Sequence, residues 1–145
     1  MSLPSPDLAF RIGSTAALVA WTALALSPPS RRWTPWVWRC TGWALPLALG
    51  VVYVALLAGH WGGPGGFGSL QDVQLLFSRP GPLAAGWLHY LAFDLFVGTW
   101  IARQAAAAGI GHLWVLPCLA LTFLFGPSGL LAYAALAALH RRSRP

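Results

Sequence analysis

The sequence contains no lysine, no glutamate and no asparagine, and charged residues make up only 8% of it. A soluble domain carries about 25% charged residues. Set against 57% hydrophobic residues, that deficit points to a chain that lives in a bilayer. Without lysine there is no Schiff base to retinal or pyridoxal phosphate, and no phosphate lysine of the Walker type. Without asparagine there is no N-glycosylation site. The 4 histidines are too few and too scattered for the histidine-rich site of a membrane di-iron oxygenase. Cys40 and Cys118 do not make a disulfide framework. His60, His89 and Asp72 lack a spacing that demands a metal, so neither metal nor cofactor is expected. The net charge of +6 comes from arginine alone. Those arginines flank apolar runs, which favours anionic membrane lipids over nucleic acid as partners.

A length of 145 residues suits one domain, residues 1–145. A bilayer core about 30 Å thick needs ~20 apolar helical residues. Stretches at about 8–26, 36–59, 83–102 and 113–139 qualify. The expected fold class is therefore all-α, an integral membrane bundle of four transmembrane helices. Pro46, Pro117 and Pro127 fall inside these spans, and Gly126-Pro127 is expected to bend or break the last. A cleaved signal peptide is disfavoured, because Asp7 cancels Arg11 and Ala23-Leu24-Ala25 is a poor cleavage site. No transit peptide precedes the first span, so a bacterial inner membrane is the expected location. Four spans would put Arg11, Arg79, Arg141, Arg142 and Arg144 on one side. Arg31, Arg32, Arg39 and Arg103 would lie on the other, a weak bias towards cytoplasmic termini.

The connection at about 60–80 is a glycine-rich turn followed by a short amphipathic helix at the interface. Ser69 and Asp72 start that helix in the manner of a capping box, and Leu70, Val73, Leu76 and Phe77 follow at helical spacing. Gly63-x-Gly65-x-x-Gly68 spells a dinucleotide fingerprint but follows no strand, so it reads as a turn. It could also form a lid whose missing side chains let backbone approach a lipid-like ligand.

The chemistry is concentrated in the third span. Asp94 lies about 16 Å along it, near the midplane. Ionisable residues there are costly and are functional candidates. A carboxyl at that depth is disfavoured as an anion, which suits a proton donor. Tyr90 shares its face one turn away and would orient it. His89 is shallower and points about 140° away from Asp94, as a base or polar anchor. His60 is expected near His89, and Arg103 near His112 at the opposite end. The bland reading of each is a hydrogen bond between helices.

Phe67-Gly68-Ser69-Leu70, Leu76-Phe77-Ser78, Gly86-Trp87-Leu88-His89-Tyr90-Leu91-Ala92-Phe93-Asp94 and Pro117-Cys118-Leu119 through Phe125-Gly126-Pro127 together carry a resemblance. They resemble the abscisic-acid-deficient-four-like family of small integral membrane proteins of plants and bacteria. The likeness runs over roughly residues 5–140 and is densest at 67–131. Plant members are needed for neoxanthin synthesis, so the resemblance implies isomerisation of an epoxycarotenoid to an allenic carotenoid. That reaction needs an acid and a base and no redox cofactor. On this reading Asp94, His89 and Tyr90 are catalytic, while Arg103, His60, Trp87 and His112 bind the substrate, a carotenoid or other isoprenoid lipid. The alternative is a non-catalytic carotenoid-binding or scaffold protein serving pigment enzymes, or assembling as a homo-oligomer. Thr99 and Gln104 depart from the family's arginine and aspartate, which implies a different substrate head.

Overall fold

The computed structural model describes residues 5–142; Arg144 of the orientation argument lies outside them. Among the described residues the regular structure is entirely helical. Helix α1 (Pro6–Ala25) starts where the Ser5 hydroxyl accepts the Leu8 N–H at 3.3 Å. Pro6 needs no partner for a missing N–H, and Asp7 meets the positive end of the helix dipole. Ala9, Gly13, Ala17, Trp21 and Leu24 recur at one-turn spacing and form its buried stripe.

Helix α2 (Thr34–Arg39), a π turn (Cys40–Ala44) and α3 (Leu45–Gly59) follow one another without interruption. The π turn sits where Pro46 cannot donate, and the Leu45 N–H reaches back to Cys40 O instead. Helices α1 and the Thr34–Gly59 segment are each long and apolar enough to cross a membrane. After the glycine-rich turn come α4 (Leu70–Phe77), capped by Ser69, and α5 (Pro80–Ala107). Helix α5, 28 residues long, is the central element. It runs parallel to α1, with Gly13 under Leu88 and Gly98 under the Trp21 ring. It runs antiparallel to α3, which pairs Gly42 with Thr99 and His60 with Gly81. Its C-terminus is a Schellman motif: Gly109 has φ 71°, and the Ile110 N–H bonds Ala105 O at 2.9 Å.

The last predicted span, 113–139, is not one helix. Helix α6 (His112–Phe125) ends at Gly126, and α7 (Pro127–Arg142) turns back along it. Gly126 has φ 51° and ψ −105°, a conformation open to glycine and strained for other residues. The reversal is visible in the pairings. Phe123 and Gly126 lie beside Tyr90 and Asp94, yet Tyr133 packs edge-on against Trp100 further along α5. Gly129 lies so close to Thr122 and Cys118 O that a Cβ would overlap them. The hairpin returns the end of α7 to the side of the α1–α2 corner. Trp21, Leu95, Ile101, Val115, Leu119 and Tyr133 pack into the core at that end. Leu49, Leu56, Leu88 and Leu91 fill the core nearer the glycine-rich turn.

Candidate functional site

Helix α5 presents two polar faces. On one, His89, Phe93, Phe96, Trp100 and Arg103 follow at spacings of four, three, four and three residues, a straight stripe. Opposite them α3 and the π turn offer Trp43, Pro46, Gly50 and Tyr53. Gly50 has nothing within 4 Å of where a side chain would start, and Gly42 lets the helices approach at Thr99. The result is an apolar groove of about 670 Å³ that includes His89. It shares Gly42, Trp43 and Phe96 with a more polar cleft of about 380 Å³ that includes Arg103 and Gln104. His89 and Arg103 are roughly 21 Å apart along the helix.

His89 is exposed to this groove, stacked on Phe93 at 4.5 Å and tilted against Tyr53 at 5.7 Å. Arg103 and Gln104 are exposed at the cleft. Thr99 is buried, and its hydroxyl donates to Thr41 at 2.7 Å, while Thr41 donates to Val37 O at 2.9 Å. Of Thr99 and Gln104, only Gln104 is open to a ligand. Phe93, Phe96, Trp100 and Tyr53 join the candidate residues here. The α5 stripe could be counted in the sequence; its partner on α3 could not.

The other face meets the hairpin. The Asp94 carboxyl lies against the Cα of Gly126: a Cβ there would stand 3.2 Å from Oδ1 and 3.3 Å from Oδ2. Oδ2 is buried without a hydrogen-bond partner. Tyr90 stands one turn away and donates its phenol proton to Phe123 O at 3.3 Å. That carbonyl is the one Pro127, lacking an N–H, cannot serve. Trp87 continues this face, its Nε1–H donating to Ser14 Oγ at 2.9 Å and its ring 5.5 Å from Tyr90.

The structure does not bring all the predicted residues together. His60 lies against Gly81, with Nδ1 donating to Leu56 O at 2.9 Å, and Tyr53 takes the place beside His89. The antiparallel register explains this, since His60 ends α3 two turns before His89 on α5. His112 donates from Nε2 to Ala25 O at 2.8 Å, capping α1, and Arg103 lines the cleft. The glycine-rich turn is tied rather than loose: Arg79 Nη2 donates to His60 O and Gly62 O, both at 2.8 Å.

The family model described as ABA DEFICIENT 4-like, ABA4-like, matches residues 8–133, most of the chain. The chain belongs to that family. Neither the curated proteins nor the solved structures give a match.

Proposed function

We propose that this member of the ABA4-like family is an integral membrane protein that binds a carotenoid or related isoprenoid lipid in the α3–α5 groove and isomerises it by acid–base chemistry. The observation that carries the reading is the groove itself. It is long and apolar, with one histidine along its wall and a guanidinium and an amide at its end. Such a trough suits a rod-shaped hydrocarbon with a polar terminus. In the bilayer, α1, the Thr34–Gly59 segment and α5 cross, and α6–α7 enter and return from one side. That makes three crossings and a re-entrant hairpin in place of four spans. Irregular backbone at Gly126 is tolerated there because protein covers it.

Isomerisation of an epoxide to an allene opens the ring with a proton and removes a proton from the polyene. An imidazole can deliver the first and accept the second, so His89 serves as acid and then as base. Arg103 and Gln104 hold the polar end of the ligand. Asp94 and Tyr90, on the hairpin face, position α6–α7 rather than touch the ligand.

A second reading is a non-catalytic carotenoid-binding or scaffold protein. The separation of His89 from Asp94 favours it, because the groove then holds a single proton-exchanging group. Pigment complementation of a deletion strain, with copurification of pigment, separates the two. For an enzyme, His89→Gln keeps bound pigment and fails to convert it. For a scaffold, His89→Gln restores the wild-type pigment profile.

A further inference from the structure

A second concavity lies away from that groove. It runs between α1 and the α2–π segment and encloses about 960 Å³, walled by Ile12, Ala16, Val19 and Ala23 on one side and Val37 and Leu45 on the other. Trp33 and Trp36 line it at the α1–α2 corner, and Arg11 at the opposite end. Each corner tryptophan carries a guanidinium over its ring. Arg31 is 5.3 Å from the Trp33 centroid and Arg39 is 5.1 Å from that of Trp36. Arg31, Arg32 and Arg39 are all exposed. None of the three aspartates lies near them: Asp7 begins α1 at the far end, Asp72 is on α4, and Asp94 is midway along α5.

The hairpin adds to this charge. Because α7 returns along α6, Arg141 and Arg142 reach the same end as Arg31, Arg32, Arg39 and Arg103. Among the described arginines, only Arg11 and Arg79 lie towards the other end. That asymmetry places the corner on the cytoplasmic side, where anionic lipids concentrate. We propose that the α1–α2 trough binds one anionic phospholipid, its phosphate between Arg31 and Arg39 and an acyl chain along the small-residue face of α1. This rests on the membrane reading of the chain and is independent of what the α3–α5 groove holds.

Cys40 supplies the probe. It is exposed on the trough wall, and Cys118, the other cysteine, is buried. The full chain, purified in neutral detergent, is alkylated with an uncharged maleimide in the presence of phosphatidylglycerol, phosphatidylcholine, inorganic phosphate or carotenoid. Phosphatidylglycerol should slow alkylation of Cys40 at least ten-fold, and the other three should leave it within about two-fold. Arg31→Gln with Arg39→Gln should abolish the protection. Equal protection by the two phospholipids, protection by phosphate or carotenoid instead, or protection that survives both substitutions would overturn the proposal. Retained lipid in native mass spectrometry of the unaltered chain gives a readout that needs no variant: phosphatidylglycerol should exceed phosphatidylcholine from an equal mixture, and parity contradicts the site. Recovery of the chain without detergent would defeat the membrane reading itself.

Discussion

The two faces of α5 differ in what covers them. The His89 face is bordered by α3, where the missing side chain of Gly50 leaves open space beside the stripe. The Asp94 face is capped by the α6–α7 turn, with backbone of Gly126 against the carboxyl and Phe123 O on the Tyr90 hydroxyl. Both faces carry ionisable groups, and the long apolar groove lies on the His89 face. A carboxylate midway along an apolar helix is the more conspicuous feature in a sequence, because its burial is costly. The histidine is the one with space for a ligand. Cost of burial and access to ligand are separate properties, and α5 divides them between its faces.

The largest effect should divide the faces in the same way. His89→Gln is expected to lower pigment conversion by about 10²–10⁴-fold, the usual contribution of a positioned general acid–base. Asp94→Asn, assayed per mole of folded protein, should stay within about three-fold of the original, since its carboxyl does not reach the groove. Equal losses in both variants would make the two faces one site. The next effect is structural. Gly126→Ala places a side chain at φ 51°, against the Asp94 oxygens. Unfolding in detergent should show a loss of about 1–3 kcal/mol, with conversion by the folded fraction unchanged. A Tm equal to that of the original would mean that the hairpin does not depend on this turn. The smallest effect belongs to Tyr90→Phe, which removes one hydrogen bond to Phe123 O and should cost about 0.5–1.5 kcal/mol. A conversion defect beyond that stability change would bring Tyr90 back into the chemistry.

Much of the helical framework was legible, for reasons that also mark where reading stopped. The cap at Ser69 and the break at Gly126-Pro127 are local signals, and the helices begin and end at them. The direction of the break is not local. Hydropathy over 113–139 is continuous, and reversal follows from one glycine's φ and from α7 finding Trp100 and Cys118 to pack on. The α5 stripe from His89 to Arg103 is written in its spacing. Its partner depends on the register of α3, set by close contact at Gly42–Thr99 and His60–Gly81. That register moved His60 away from His89 and put Tyr53 there. The apolar run around Asp94 made its place midway along a helix readable, whereas its cover came from a helix turn that the sequence pattern merged into a span.

Gly50 offers the most direct test of the central claim, that the α3–α5 groove holds the ligand. It lines the groove, sits inside a helix, and has open space where a Cβ would begin. Gly50→Phe should therefore fill the groove without disturbing the core. Replacing a helical glycine should if anything add a few tenths of a kcal/mol of stability. The measurement is pigment copurified per mole of folded protein, alongside thermal unfolding in the same detergent. The account predicts an unchanged or slightly raised Tm and loss of most of the bound pigment. Full pigment retention by a folded Gly50→Phe protein would contradict it.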